Sequence, residues 1–221
     1  FSKNLLKNQN NYSINLTSSG SNNLKNTNNL RSRIINNISL ESLDFITKYG
    51  FKNNFKINTK NLNTVAKNDD TYKSSPQIEL MSLFEVSSSL PMNKLGEKFD
   101  KYIEPKISLR FNPSEMKDYS NSKRKIGVSN IFDLNRLGLT DTLEEGSSMT
   151  VGLDYRKEAI ENINKYFEIK LASVLRNKNV ENIPTSSAIK QSGNLIGSVK
   201  NSINDNLNFI YDFSLDNDFK T

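Results

Sequence analysis

The chain has 221 residues, 35% of them hydrophobic, with a formal net charge of +6. It contains no Cys, His or Trp, which excludes disulfides, Cys/His zinc sites and both the Ser-His-Asp and Cys-His routes to nucleophilic catalysis. No window approaches the roughly 18 consecutive apolar residues of a membrane helix, but strands that are apolar on one face only leave a membrane barrel open.

The pattern that recurs along the chain has a period of two. Tyr12, Ile14 and Leu16 alternate in a first strand, and Ser18 to Asn29 reads as a Ser/Asn/Gly loop. A second strand from Arg31 to Thr47 changes parity, with Ile34, Ile38 and Leu40 on one phase and Leu43 and Phe45 on the other. A bulge near Glu41–Ser42 accounts for that change. After a turn at Tyr49-Gly50, Phe51, Phe55, Ile57 and Thr59 alternate with Lys52, Asn54, Lys56, Asn58 and Lys60. Asn61 to Ser75 reads as a polar loop, Pro76 to Ser89 as a strand, and Leu90 to Lys101 as a connection.

Tyr102 to Asn112 then sets Ile103, Ile107, Leu109 and Phe111 against Glu104, Lys106, Ser108 and Arg110. Pro113 to Leu143 is the longest connection. Beyond it, Met149, Val151, Leu153 and Tyr155 oppose Ser148, Thr150, Gly152, Asp154 and Arg156. A strand over Asn164 to Arg176, a loop to Ser192, a strand over Gly193 to Ile203, and a turn at Asn204-Asp205 lead into the last segment. There Leu207, Phe209, Tyr211, Phe213 and Leu215 alternate with Asn208, Asp212 and Ser214, and only Ile210 breaks the polar set. An amphipathic helix over Tyr155 to Ala172 is the alternative to weigh, but alternation resumes from Phe167 to Leu175.

The expected fold is all-β, an antiparallel transmembrane barrel segment of about ten strands, with short turns at one rim and longer loops at the other. About ten residues tilted by about 45° cover the roughly 25 Å apolar band of such a barrel. The whole of residues 1–221 reads as one partial barrel domain. Because the chain starts at Phe1 and stops just after a strong strand, it is expected to be a piece of a longer protein. The apolar phase would face lipid and the polar phase the interior. Lys106, Arg110, Asp154, Arg156, Lys170 and Lys200 would therefore face the lumen, with Lys52, Lys56, Lys60, Glu104, Glu168 and Asp212 beside them. Two readings of those charges stand open: a path for an amphiphile with anionic groups, or a solvated interior whose charges pair only with one another. Basic residues are scattered along the chain, which argues against a nucleic-acid partner. Glu144-Glu145 and Asp154 have the chemistry of acid/base carboxylates, although loop acids at a strand end are expected to be solvated.

Two stretches carry a family resemblance. One is Glu104-Pro105-Lys106 through Leu109-Arg110-Phe111. The other runs Asn130-Ile-Phe-Asp-Leu-Asn-Arg136, then Asp141-Thr-Leu-Glu-Glu-Gly146, then Met149-Thr-Val-Gly-Leu-Asp-Tyr155. Together they resemble the barrel domain of the lipopolysaccharide-assembly outer-membrane protein family, LptD or OstA. The motif positions are Glu104, Pro105, Asn135, Arg136, Glu145, Gly146, Gly152 and Tyr155. Asn135 and Arg136 are expected to serve loop hydrogen bonding, and Gly146 and Gly152 to accommodate the backbone.

The resemblance implies a transporter of the outer membrane, not an enzyme, with no cofactor. It implies a very large barrel that receives lipopolysaccharide from a periplasmic bridge of the LptA type, holds a plug lipoprotein of the LptE type, and opens sideways between its first and last strands. The family's N-terminal jellyroll and paired cysteines have no counterpart in this sequence. Another outer-membrane barrel, a porin or receptor, is the nearest alternative, and a soluble β-rich binding module the next.

Overall fold

A computed structural model describes residues 1–7, 11–187, 189–190 and 192–216. Its strands are β1 (Ser2–Lys7), β2 (Tyr12–Lys25), β3 (Asn29–Ser42), β4 (Phe45–Ile46), β5 (Lys52–Lys67), β6 (Gln77–Ser89), β7 (Met92–Lys94), β8 (Phe99–Asn112), β9 (Gly146–Ala159), β10 (Tyr166–Arg176), β11 (Leu195–Asn204) and β12 (Leu207–Leu215). They form one antiparallel sheet in the order β1-β2-β3-β5-β6-β8-β9-β10-β11-β12, with β4 on β5 and β7 on β8. Among the described residues the order has two ends, β1 and β12, so the sheet is not closed. There is no helix over 155–172; that stretch is β9, a turn and β10.

Two short strands are continuations of longer ones. Glu41 pairs with Lys56 and Phe45 with Asn53, four steps on one side against three on the other. One extra residue is thus inserted between Glu41 and Phe45, and the parity of the apolar residues flips there. β7 keeps the register that β6 holds against β8, since Ser89 pairs with Lys106 and Met92 with Ile103. Only Pro91, which lacks an N–H, interrupts the ladder. The connection expected over Leu90 to Lys101 is therefore a tight turn at 95–98.

Two expected loops are strands. β2 pairs with β3 all the way to Lys25 opposite Asn29, and the turn is only 26–28. Asn26 and Thr27 have φ of 49° and 54°, the positive values that a type I′ hairpin turn needs at both central residues. Ser18 to Lys25 shows no alternation because both of its faces are polar; pairing with β3 extends it. β5 likewise continues through Asn61 to Lys67, where Leu62 and Ala66 are buried.

The turns at 47–51, 95–98, 160–165 and 205–206 lie at one rim. The connections 68–76, 113–145 and 177–194 lie at the other, together with the short turn 26–28. One face of the sheet carries exposed Ile34, Ile78, Leu80, Leu109 and Phe111. The opposite face, here the inner face, is covered toward the long-loop rim by 113–145 and 177–194. Those loops form two apolar cores against it. One joins Ile126, Ile131, Leu137 and Ile183 to Ala172, Val174 and Ile196 of β10 and β11. The other joins Tyr72 and Leu143 to Leu62 and Ala66 of β5 and Met81 and Leu83 of β6. The loops act as a plug with a dry underside.

Candidate functional site

The inner face divides into two zones along the strands. Toward the short-turn rim lies a ladder of charges whose cations are half-exposed and whose central carboxylate, Glu168, is nearly buried. Lys106 contacts Asp154 at 2.8 Å and Glu104 at 3.2 Å. Glu168 gathers three cations, Lys170 at 3.6 Å, Arg156 at 3.7 Å and Lys200 at 3.8 Å. Arg156 also donates to Glu158 at 2.7 Å. The registers explain the gathering: Glu104, Asp154, Lys170, Ser198 and Asp212 are successive cross-strand partners, as are Tyr102, Arg156, Glu168 and Lys200. Next to them, Lys52, Lys56, Glu85, Ser87 and Lys106 line a cleft of about 190 Å³ under Phe132.

Toward the long-loop rim the charges are dry. Arg136 of the loop donates to both carboxylate oxygens of Glu144, at 2.8 and 2.6 Å, and to Thr150 and Ser148 of β9 at 2.9 and 3.0 Å. Arg176 at the end of β10 donates to the same carboxylate. Arg110 of β8 reaches it at 3.4 Å, lies 3.1 Å from Glu85 of β6, and donates to the Asp133 and Leu134 carbonyls. Three guanidiniums therefore meet one carboxylate that is 8% exposed. Burial by itself raises the pKa of Glu144; Arg136 above all, then Arg176 and Arg110, outweigh it and hold the group far below the carboxylate range.

A second knot fixes the other flank. Tyr72 and Tyr119 both donate to Asp141. Burial, then the bond to Asp141, pushes the Tyr119 phenol up to about 12 and Tyr72 upward as well. Burial opposes ionisation of Asp141, but the two phenols prevail and its pKa is lowered. The ammonium of Lys60 on β5 donates to the carbonyls of Thr140, Thr142 and Leu139 at 2.8, 3.2 and 3.4 Å. The two loops also hold each other: Tyr119 donates its N–H to Asn182 O at 2.9 Å, and Glu145 accepts from Met116 N at 2.8 Å and from Asn182 Nδ2 at 3.3 Å.

The sequence-singled residues thus fall into two groups. Lys106, Asp154, Arg156, Lys170 and Lys200 lie together in the wet ladder with Glu104. Arg110, Arg136 and Glu145 lie in or beside the plug. Asn135 makes a closed pair of bonds with the Leu139 N–H and C=O, each 2.8 Å. Gly146 has φ +81°, and a Cβ on Gly152 would sit 2.7 Å from the Phe132 ring that rests on it. The Pro105 carbonyl accepts from Leu90 N, and Tyr155 pairs with Ile103 on the outer face. The expectation that Glu144 is a solvated loop acid fails, because the plug folds back and buries it against β8, β9 and β10. Tyr72, Arg176 and Glu85 carried no local signal, and Asp141 only its place in the motif stretch; they become partners only when loop and wall meet. Among the described residues no group of acidic side chains is arranged to hold a metal ion.

No curated protein matches the chain significantly. Residues 79–221 match the family model for LptD, LPS transport system D.

Proposed function

Because this chain belongs to the LptD family, whose members act in lipopolysaccharide transport at the outer membrane, we propose that it forms part of the translocon barrel that delivers lipopolysaccharide to the outer leaflet. The observation that carries this reading is the division of the inner face. The half-exposed ladder of Lys106, Arg156, Lys170 and Lys200 offers cations to phosphates and acidic sugars, with Glu104, Asp154 and Glu168 keeping each site exchangeable. The dry plug above it blocks the way straight out. Sugar and phosphate groups then travel along the ladder while acyl chains leave sideways into the bilayer. Arg110 and Arg136 hold the plug and do not touch substrate.

In the full-length parent, lipopolysaccharide arrives from an LptA-type bridge through a jellyroll domain, and an LptE-type lipoprotein occupies the rest of the lumen. The chain has no G-x-x-x-x-G-K-[ST] loop, so nucleotide energy enters elsewhere in the pathway. The test is Lys170→Glu with Lys200→Glu in the full-length parent, read as lipopolysaccharide at the cell surface. The expected result is a fall at the surface with accumulation on the inner side. Unchanged surface lipopolysaccharide with reduced uptake of small solutes would transfer the chain to a pore.

A further inference from the structure

Charge is sorted by face at the short-turn rim. Lys94 of β7 pairs with Lys101 of β8, and Lys101 pairs with Lys157 of β9. All three share the phase of Met92, Ile103 and Tyr155, so they lie on the outer face. One position along, on the inner phase, Asp100 pairs with Glu158. Acids point inward and lysines outward at the same level of the sheet.

Directly opposite residues hold their Cβ atoms about 4.5–5.5 Å apart, and like charges so placed repel. Among the described residues none of the three lysines forms an ion pair with a carboxylate. Lys157 instead rests over the Phe99 ring at 4.3 Å, while Lys94 and Lys101 are exposed. Lysines often guard free sheet edges, but β8 is flanked by β7 and β9, and β9 by β8 and β10, so that role accounts for Lys94 on β7 and not for Lys101 or Lys157. The adjacent cross-strand row on the same face is Met92, Ile103 and Tyr155, an apolar strip one step toward the middle of the sheet. A cationic row bordering an apolar strip has the layout of a lipid headgroup over its chains.

We propose that Lys94, Lys101 and Lys157 form a docking surface for the headgroup phosphate of an anionic phospholipid, in the leaflet on the short-turn side. The proposal rests on the outer face meeting lipid, as the barrel reading requires. The lipid phosphate bridges the lysine row and relieves its repulsion, and the acyl chains lie along Met92, Ile103 and Tyr155. Such a lipid fixes the depth of β7–β9 in the membrane.

The experiment uses the full-length parent in vesicles of phosphatidylcholine with a minor share of phosphatidylglycerol. Lipids retained after gentle detergent extraction are counted by native mass spectrometry. Wild type is expected to enrich phosphatidylglycerol about tenfold, and Lys94→Gln/Lys101→Gln/Lys157→Gln to reduce this to about twofold. Heat-resistant mobility on a gel reports insertion. If the triple variant does not insert, Lys101→Gln, the central member of the row, is expected to give an intermediate loss. No enrichment by wild type, or enrichment intact in the variants, overturns the proposal. So does its abolition by added inorganic phosphate, which would make the row a free-anion site. Lys170→Gln/Lys200→Gln on the inner face is expected to keep the enrichment. If that pair loses it while the outer variants keep it, the faces are reversed and the barrel reading falls too. Absent enrichment with surface lipopolysaccharide still responsive to the ladder removes the docking surface alone.

Discussion

The two ends of the inner face are built from the same strands and the same side-chain phase, yet they behave as different materials. In the ladder, Lys106, Lys170 and Lys200 keep about a third of their side-chain surface in water at 27%, 31% and 37%. In the plug, Arg110, Arg136 and Arg176 keep 3%, 0% and 1%. Exposed pairs cost little to make and little to break. Buried charges are costly to strand, because the partner left behind is not rehydrated. The same ion-pair chemistry therefore gives an exchangeable surface at one end and a lock at the other, and what decides between them is loop cover.

The strongest way to break the contrast is Glu144→Ala. It leaves three guanidiniums without their shared carboxylate, and a loss of about 3–5 kcal/mol is expected in urea unfolding. Native-state protease cuts within 113–145 should appear while the strands stay protected. Acid attacks the same lock. Glu144 and Asp141 are both depressed in the folded state, so their contribution is complete above the unfolded values of about 4.3 and 3.9 and is lost as pH falls below them. On the alkaline side the phenols are raised, Tyr119 to about 12, so their contribution is complete below about pH 10 and lost as pH climbs through the folded value. Protease sensitivity of the plug should thus rise as pH falls below about 4 and rise again as pH climbs above about 10.

Gly152→Val comes next. A Cβ there would lie 2.7 Å from the Phe132 ring and 3.1 Å from the Leu171 carbonyl, and the overpacking is expected to cost about 1–3 kcal/mol in the unfolding midpoint. The smallest effect on stability belongs to Lys106→Ala, below about 1 kcal/mol. A larger value from urea unfolding would show that the ladder is part of the lock.

Alternation made β8, β9 and β12 legible, because each carries a continuous run of apolar residues on one phase. It failed for Ser18–Lys25, where both phases are polar and only pairing with β3 defines the strand. It failed again for Asn61–Lys67, where Leu62 and Ala66 point inward under the plug, against the rule that inward positions are polar. The ladder could be read because period two places Asp154, Arg156, Lys170 and Lys200 on one side before any contact is known. The lock could not. Arg136 and Glu144 are eight residues apart in a loop with no periodicity, and Arg110, Arg176 and Glu85 come from three separate strands. A long connection rich in apolar residues such as Ile126, Ile131, Leu137 and Leu139 was the available sign that it folds onto something.

Every long strand lies beside its neighbours in the chain, as the order β1 to β12 shows. Such a sheet can grow hairpin by hairpin, each offering a fresh edge to the next and all but β8–β9 and β10–β11 closing a short connection, which favours fast growth for a β structure. The plug obeys a different clock. Its partners stretch from Lys60 on β5 to Ile196 on β11, so it has no complete surface to land on until six long strands are side by side. Sealing then follows wall-building, and a sheet halted midway would stand with its mouth open.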